Sequence, residues 1–289
     1  MHPSLRSQQP SSRQAVREMN DPFKIDGPAK IGFSGGRTSG MMLKLIVDAH
    51  GGALPADVLV TFANTGKERP QTLAFVNECA TRWNVAIHWL EYRPVRPFFV
   101  EVSYLTADRK GRPFEQMVRK ERYMPNPSKR LCTKHLKVKT QSRYAKACGL
   151  RDWTAVIGMR ADEPDRVANN RGKTGLGYGC ADIAMPLADA GLGERDVLEF
   201  WARQPFDLQL PRGVSNCDLC FLKGTAQRIE AIRAEPELAD WWIAMEEERG
   251  MQFRGAAPLY RALKQYALDQ GSFDFSGIND SLGDCVCTD

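Results

Sequence analysis

The chain lacks any long hydrophobic run: none of its apolar stretches approaches the roughly 18 residues that a bilayer-spanning helix needs. The first twenty residues are polar and lack the apolar centre of a secretory signal, so they predict a disordered lead-in. There is no internal repeat and, beyond this polar start, no low-complexity segment. We therefore expect a cytoplasmic protein without membrane contact, whose 289 residues, 43% of them hydrophobic, form one large core or a core with a smaller lobe.

Net charge is also low for a chain of this length. The formal charge is only +5, although basic residues concentrate between Arg109 and Lys139. Such a stretch suits a polyanionic small substrate and would also suit nucleic acid, and composition alone does not separate these partners. The chain has eight cysteines. In a cytoplasmic protein they are expected to be thiols, metal ligands or redox groups and not structural disulfides.

The most informative motif lies at residues 30–40, where an apolar run leads into a loop of serines and glycines. Gly35 and Gly36 allow a sharp turn and a close approach to an anion, and an amphipathic run from Met41 to Val47 predicts a helix immediately afterwards. The helix would direct its unpaired N–H groups and its positive dipole end toward that anion. The motif is neither a Walker loop, which ends in Gly-Lys-Ser/Thr, nor a dinucleotide fingerprint. The predicted phosphate ligands are Ser34, Gly35, Gly36, Arg37, Thr38 and Ser39.

Strand and helix patterns alternate along the first half of the chain. Residues 57–63, 85–90 and 153–158 are short, β-rich apolar runs that predict strands, while residues 70–83 and 133–148 predict helices. This alternation indicates an α/β fold with a doubly wound parallel sheet, in which ligands bind at the carboxyl ends of the strands. Three polar segments fall at predicted strand ends and are expected to converge. They are the loop at Ser34, the run Asn64-Thr65-Gly66 and Arg160, and the first two are expected to bind a nucleotide.

Residues 93–127 interrupt this alternation with mixed charge, proline and aromatic residues. A segment of that length is more often a lid or substrate loop than a simple connection. Further along, apolar positions at helical spacing from Phe221 to Arg233 and from Leu238 to Met245 predict a small helical extension. The tryptophans at 241 and 242 are expected in its core. The predicted organisation is a disordered segment at 1–28, a nucleotide-binding domain at 29–224, and a helical, cysteine-bearing extension at 225–289.

Residues 34–39, Ser-Gly-Gly-Arg-Thr-Ser, resemble the PP-loop of the adenine nucleotide alpha hydrolases, a superfamily of ATP pyrophosphatases, tRNA thiolation enzymes and phosphoadenylylsulfate (PAPS) reductases. Several later segments resemble the PAPS reductase family in content and order. They are residues 129–138, 157–163, 185–189 and 196–197, and the pair Cys217 and Cys220. The resemblance implies that Lys134, Lys137 and Arg160 neutralise the charge that develops on a nucleotide. One departure is Asn64, since the reductases usually carry aspartate before Thr-Gly.

The cysteine pair at 217 and 220 has the two-residue gap that lets both thiolates reach one metal. The resemblance adds Cys132 as a third ligand, and a C-terminal cysteine, Cys287 or Cys285, is favoured over Cys180 as the fourth. All-thiolate ligation suggests a [4Fe-4S] cluster, with structural zinc as the alternative. Two other cysteines, Cys79 and Cys148, lie in apolar helical patterns and are expected to be core residues.

The leading hypothesis for function is a PAPS reductase-like enzyme that binds an adenine nucleotide, either a sulfonucleotide or ATP, and acts in sulfur metabolism or sulfur transfer. A thiol reductant or a sulfur donor protein is the expected partner. If ATP is the substrate, Mg²⁺ is required, and the chain resembles the ATP pyrophosphatases of DNA phosphorothioation and tRNA thiolation. The alternative from another class is a non-catalytic nucleotide-binding module whose cysteines hold structural zinc.

Overall fold

The computed structural model describes residues 21–171, 180–211, 214–255 and 257–269. Within these ranges a six-stranded sheet forms the centre of the molecule, with strand order β4-β3-β2-β1-β5-β6. All neighbouring strands are parallel except β3 and β4. The strands are β1 (Ala29–Gly32), β2 (Val58–Asn64), β3 (Ile87–Tyr92), β4 (Phe99–Val102), β5 (Trp153–Val156) and β6 (Cys180–Ala184). The predicted doubly wound α/β class is confirmed.

Helices cover both faces of this sheet. The helices are α1 (Arg37–Ala49), α2 (Pro70–Arg82), α3 (Arg112–Glu121), α4 (Thr140–Ala147), α5 (Pro164–Asn170), α6 (Pro186–Asp189), α7 (Glu194–Ala202), α8 (Thr225–Ala234), α9 (Leu238–Arg249) and α10 (Tyr260–Asp269). A π-helix at Cys132–Lys139 runs directly into α4. No helix in the described ranges combines the length and apolar character that a bilayer crossing requires.

Two hydrophobic clusters hold these layers together. In the first, α1, α2 and α7 pack on one face of the sheet through residues such as Leu43, Val76 and Trp201. The second joins the last three helices to the rest of the chain, because Trp242 and Tyr260 pack with Phe114 of α3 and with Leu136 of the π-helix. The helical extension therefore shares its core with residues that precede position 224, and where a domain boundary lies stays a prediction.

The segment predicted as a lid is folded. Residues 93–127 contain β4, which pairs with β3 as an antiparallel edge strand, and the helix α3. Phe114, Met117 and Val118 of α3 are buried against the second cluster. Their spacing fits one face of a helix, so a local signal was present within the charged sequence.

The carboxyl ends of β1 and β5 flank the point where the strand order reverses. The chain moves from β1 outward to β2 and β3, and later returns to the other side of β1 with β5 and β6. In open α/β sheets, the crevice at this switch point is the usual ligand site. The serine and glycine loop follows β1, and Arg160 follows β5, so two predicted segments border this crevice. The remaining one, Asn64-Thr65-Gly66, follows the adjacent β2.

A buried ion pair ties the loop after β2 to the cysteine segment. Lys67 Nζ lies 2.7 Å from Asp218 Oδ2, and both side chains are less than one-tenth exposed. Asp218 Oδ1 also accepts a hydrogen bond from Trp242 Nε1 at 2.9 Å, and the Lys67 ammonium lies 4.8 Å from the centre of the Trp241 ring. This pair connects the sheet to α9.

We expect the Asp218→Asn substitution to lower the free energy of unfolding by about 3–5 kcal/mol, because it leaves the Lys67 charge buried without a counter-ion. Denaturant unfolding measures this loss. Adding Lys67→Met to the Asp218→Asn variant removes the orphaned charge. The double variant is therefore expected to lose less unfolding free energy than the Lys67→Met and Asp218→Asn single variants lose together. Lys44→Met, which breaks the exposed pair with Asp48, is the control and should cost less than about 1 kcal/mol. Strict additivity of the Lys67 and Asp218 effects would contradict the coupling.

Candidate active site

The loop after β1, residues 34–39, is the predicted phosphate loop, and it leads directly into the first turn of α1. Gly36 caps α1 without a side-chain hydrogen bond, so the backbone N–H groups of Arg37, Thr38 and Ser39 face outward from the first turn. The hydroxyl of Thr38, a residue only 2% exposed, makes no hydrogen bond within the described part of the chain. These are the donors that a phosphate group requires. The predicted loop therefore has the geometry of an anion site.

Internal contacts fix the shape of this loop. The hydroxyls of Ser34 and Ser39 lie 2.8 Å apart, and the backbone N–H of Ser34 also donates to the Ser39 hydroxyl. Gly35 has φ +82°, and a Cβ there would lie 2.7 Å from a methyl group of Thr72. Only glycine fits at this position, because both the backbone conformation and the close packing exclude a side chain.

The Arg37 side chain contacts protein groups and not the nucleotide phosphate that the sequence predicted. Its guanidinium donates to Asp207 at 2.8 Å and to the backbone carbonyls of Leu208 and Leu210. The side chain thus anchors the segment that leads toward Cys217, while the backbone N–H of Arg37 stays in the first turn of α1. That Arg37 binds a nucleotide stays a prediction, which now concerns its backbone N–H and not its side chain.

The turn after β5 packs against the start of α1. A Cβ placed on Gly158 would lie 3.2 Å from the Cα of Ser39. Two residues later, Arg160 Nε donates to Asp162 Oδ1 at 2.9 Å, and its backbone N–H donates to Glu163 Oε2 at 3.0 Å. The structure therefore brings the Arg160 turn and the phosphate loop together, as the sequence predicted.

Asn64, Thr65 and Gly66 form a buried turn whose side chains are committed to protein partners. Asn64 Nδ2 donates to Glu91 Oε1 and to the backbone carbonyl of Asp108, both at 2.8 Å. Glu68 accepts hydrogen bonds from the backbone N–H and the hydroxyl of Thr65. The contact with Glu91 explains the departure at position 64, because an amide can donate to this carboxylate and an aspartate cannot.

The segment that contains Cys217 docks directly on the phosphate loop. Asn216 Nδ2 donates to the backbone carbonyl of Ser34 at 3.1 Å. An antiparallel bridge pairs Glu68 with Cys217, and the backbone N–H of Arg69 donates to the carbonyl of Asn216 at 2.7 Å. Sequence reasoning found Cys217 but missed Asn216 and Glu68, which stand next to recognised motifs. The sequence signal that could have found Asn216 and Glu68 was their position as polar residues directly beside those motifs.

Four side chains influence one another electrostatically beside this docked segment: Cys217, Cys132, Glu68 and Lys137. Lys137 Nζ lies 3.9 Å from Glu68 Oε1. Burial raises the pKa of the Cys217 thiol well above its usual value, the charges of Asp218 and Glu68 and the neighbouring Cys132 raise it further, and Lys137 opposes them. Burial also raises the pKa of Glu68, against the charge of Lys137 and the hydrogen bonds from Thr65. We call this group the thiol cluster.

The π-helix separates the two lysines that sequence reasoning grouped. Its i→i+5 hydrogen bonds place Cys132 and Lys137 one turn apart on the same side, so residues three apart do not share a face. Lys134 is exposed. Burial lowers the pKa of His135, and the charges of Lys139 and Lys134 lower it further against Glu121. The structure thus brings Lys137 to the thiol cluster and leaves Lys134 with His135 and Lys139.

The cysteines predicted as cluster ligands do not all converge. Cys132 and Cys217 are neighbours in the thiol cluster, whereas Cys220 is buried beside the Tyr260 hydroxyl. Cys180 begins β6 opposite Trp153, at the amino end of the sheet and away from the phosphate loop. Cys285 and Cys287 lie outside the described residues. Within those residues no group of three or more histidine, cysteine or acidic side chains stands close enough to hold a metal ion.

The other cysteines divide between core and surface. Cys79 is fully buried, as predicted, and burial raises the pKa of its thiol. Cys148 is exposed, and the prediction that it belongs to the core was wrong. It lies at the C-cap of α4, one turn beyond the buried Tyr144, where the helix leaves the sheet.

We expect the Asn64→Asp substitution to lower the free energy of unfolding by about 2–3 kcal/mol at neutral pH, because it sets two carboxylates against each other in a buried site. The loss should shrink as the pH falls toward 5, since one shared proton removes the repulsion. Chemical denaturation across this pH range measures both effects. Adding Glu91→Gln to the Asn64→Asp variant should restore most of the loss at neutral pH. A loss that is independent of pH and unaffected by the second change would contradict the assignment.

Comparison with known proteins gives one clear relative. No protein-family model matches the chain. The solved structures that resemble it include the PAPS reductase of Candida auris in a phosphate complex (15% identical, TM-score 0.41, covering 68% of this chain and 88% of that one). They also include the U34-tRNA thiolase NcsA of Methanococcus maripaludis with its [4Fe-4S] cluster (14% identical, TM-score 0.44, covering 94% and 84%). Likenesses this weak support no conclusion about this chain by themselves.

The sequence relative is the uncharacterized nin region protein ORF290 of Escherichia phage lambda. The two proteins are 32% identical over 232 residues, which cover 77% of this chain and 71% of the phage protein. The chain belongs to the family of the lambda nin region protein ORF290.

Proposed function

We propose that this protein is an adenine-nucleotide-dependent enzyme of sulfur chemistry, with its reaction centre between the phosphate loop and the thiol cluster. The observation that carries the proposal is the hydrogen bond from Asn216 to the Ser34 carbonyl, which fixes Cys217 beside the anion cradle. A nucleotide held by its phosphate groups in that cradle would present its reacting end to a thiol. The PP-loop resemblance of residues 34–39 supports adenine as the base.

The first role of the chain's own residues is to hold the anion. Backbone N–H groups in the first turn of α1 and the hydroxyl of Thr38 donate to phosphate oxygens, and the dipole of α1 favours the negative charge. Arg160 lies after β5 on the other side of the crevice and adds a second cation. These groups are fixed by packing before the ligand arrives, which favours stabilisation of charge that develops during the reaction.

The second role is to supply sulfur nucleophilicity. With a sulfonucleotide substrate, the Cys217 thiolate attacks the sulfur of the sulfuryl group. The bond between the sulfuryl sulfur and the phosphate oxygen breaks, and the nucleotide leaves. Cys132 then attacks the Cys217 sulfur and releases sulfite, so that two thiols are oxidised to a disulfide while the sulfate sulfur is reduced. An external thiol reductant restores the dithiol. Glu68, whose own pKa is raised, accepts the Cys217 proton, and Lys137 stabilises the thiolate.

With ATP and Mg²⁺ as substrate, the same cradle would release pyrophosphate while an acceptor is adenylated. Both routes need the phosphate loop, and they differ in their products. Anaerobic incubation with adenylylsulfate, PAPS or ATP, followed by assays for sulfite and pyrophosphate, distinguishes them. Sulfite supports the reductase chemistry, and pyrophosphate supports the ATP route. Absence of turnover and of binding for all three nucleotides would refute the proposal.

The described residues do not supply the ligand set of a [4Fe-4S] cluster. Two cysteines meet in the thiol cluster, and Cys220 lies elsewhere, so this part of the structure fits a dithiol pair better than four thiolates around a metal. We therefore derive no step through a cluster. Iron and labile-sulfide analysis of anaerobically prepared protein tests the sequence prediction, which also involves Cys287.

We expect Lys137→Met to lower kcat/KM for the accepted nucleotide at least tenfold, a loss of about 1.4 kcal/mol or more of transition-state stabilisation. Its ammonium lies 3.9 Å from Glu68, and its charge lowers the pKa of the Cys217 thiol against the effect of burial. Lys134→Met is the matched control, because it removes the same charge three residues away on the exposed side, and it should change kcat/KM by less than about twofold. Steady-state kinetics with both variants measure the difference.

Arg160→Ala should also lower turnover tenfold or more, because the guanidinium borders the switch-point crevice. Affinity for DNA and RNA, measured across a salt series, tests the competing partner. Equal effects of the Lys134 and Lys137 variants on turnover would contradict the assignment of Lys137, and not Lys134, to the thiol cluster. Normal turnover of the Arg160 and Lys137 variants with lost nucleic-acid affinity would instead show that these residues serve nucleic acid.

A further inference from the structure

A second cleft lies on the other side of the cysteine segment. It has a volume of about 460 Å³ and is bounded by α8, the start of α2 and residues on either side of Leu219. This volume is within the range of small-molecule sites, roughly 300–1,000 Å³. We call it the α8 cleft. Its lining includes Asp218, Leu219 and Cys220 but none of the residues that form the phosphate loop.

Two cations in this lining are buried, and one of them, Arg228, opposes through its charge the rise that burial causes in the pKa of Glu246. Lys223 is 9% exposed and Arg228 is 2% exposed. Within the described residues, neither forms an ion pair, and the ammonium of Lys223 makes no hydrogen bond. The guanidinium of Arg228 donates to the Thr225 hydroxyl at 3.2 Å and lies 5.5 Å from the centre of the Tyr260 ring, while its Nε makes no hydrogen bond. Buried charges are costly unless they are paired.

The carboxylates of the same cleft are already in use. Asp218 pairs with Lys67 at 2.7 Å, and Glu235 pairs with Arg69 at 3.0 Å. Glu230 pairs with Arg233 on the same helix at 2.7 Å. Three acidic groups therefore neutralise three other cations. Because Glu246 faces the charge of Arg228, Lys223 is the cation of this lining that has no ion-pair partner among the described residues.

Several other residues of the lining are apolar, and Gln71, Gln209, Ser215 and Gln227 also border the cleft. Leu210 and Leu219 are buried at its floor, and Val214, 36% exposed, borders it with Ala231 of α8. A ligand that fits must therefore combine an apolar body with an anionic group. A small carboxylic acid has both features, since its carboxylate can accept a charge-assisted hydrogen bond from Lys223 while its hydrocarbon part covers the leucines.

We propose that the α8 cleft binds a small molecule with one carboxylate and an apolar body, held through Lys223 with the charge of Arg228 in support. The assignment does not depend on the proposed function, because it rests on the apolar part of the cleft's lining and on Lys223. The cleft adjoins the thiol cluster across the segment from Ser215 to Cys220. A ligand in the α8 cleft would therefore contact the same cysteine segment as the proposed reaction centre.

The test uses the full-length protein with its alanine methyl groups labelled for NMR. Ala226, Ala231 and Ala234 line the cleft, and Ala49 at the end of α1 reports on the rest of the fold. Phenylacetate is the probe, and phenylacetamide is its uncharged match. We expect saturable shifts of the three cleft methyl groups with phenylacetate, unchanged Ala49, and at least tenfold weaker binding of the amide. No nucleotide is present, so the outcome is separable from the proposed function.

Lys223→Met should weaken phenylacetate binding at least tenfold, whereas Lys264→Met should leave it within about twofold, because Lys264 pairs with Asp240 outside the cleft. If Lys223→Met fails to fold, the comparison of acid with amide on the unaltered protein still decides. Equal binding of acid and amide, undiminished binding by folded Lys223→Met protein, or no saturable shift at phenylacetate concentrations on the order of 10 mM would each overturn the proposal.

Discussion

A short backbone pairing between residues 67–69 and 216–218 is the contact on which the candidate site depends. The N–H of Arg69 donates to the carbonyl of Asn216, and the N–H of Asp218 donates to the carbonyl of Lys67. The buried pair of Lys67 and Asp218 reinforces this contact in a region from which water is largely excluded. Because of it, a cysteine from the last third of the chain lies beside a loop that follows the first strand.

The electrostatic state of the thiol cluster follows from the same burial. A carboxylate, an ammonium and two thiols share a low-dielectric site, where their mutual effects are larger than in water. Cys217 has a raised pKa, so at neutral pH the undisturbed thiol is protonated and weakly nucleophilic. Its reactivity is therefore set by the balance between Glu68 and Lys137. A bound anion would add to the negative charge and shift that balance.

Much of the fold could be predicted from local sequence, because buried parallel strands and amphipathic helices have distinct hydrophobic periods. The phosphate loop and its helix, the strands β2 and β3, the helix α2 and the switch-point position of Arg160 all follow from such patterns. The edge strand β4 and the helix α3 were missed, since charge and proline obscured the apolar face of Phe114 and Met117. These elements owe their stability to the second hydrophobic cluster, which forms only after distant helices pack.

The sequence predicted the candidate site only at positions where the residue type by itself indicates a ligand or a reaction. Glycine and serine after a strand indicate an anion, and a spaced cysteine pair indicates shared thiols, but neither pattern tells which way each side chain points. Cys220 is buried beside Tyr260 and lines the α8 cleft, surroundings that its two-residue spacing from Cys217 does not reveal. Asn64 faces Glu91, a partner on the neighbouring strand that no local pattern reveals.

The π-helix at Cys132–Lys139 has a consequence for how this family tolerates change in chain length. Its wider turn accommodates one residue more than an α-helical turn would, and that extra residue is what aligns Cys132 with Lys137. A single-residue deletion within the segment would restore α-helical spacing and rotate one of the two side chains off the shared face. The relative orientation of Cys132 and Lys137 therefore depends on the number of residues between them, which a substitution on the exposed side leaves unchanged.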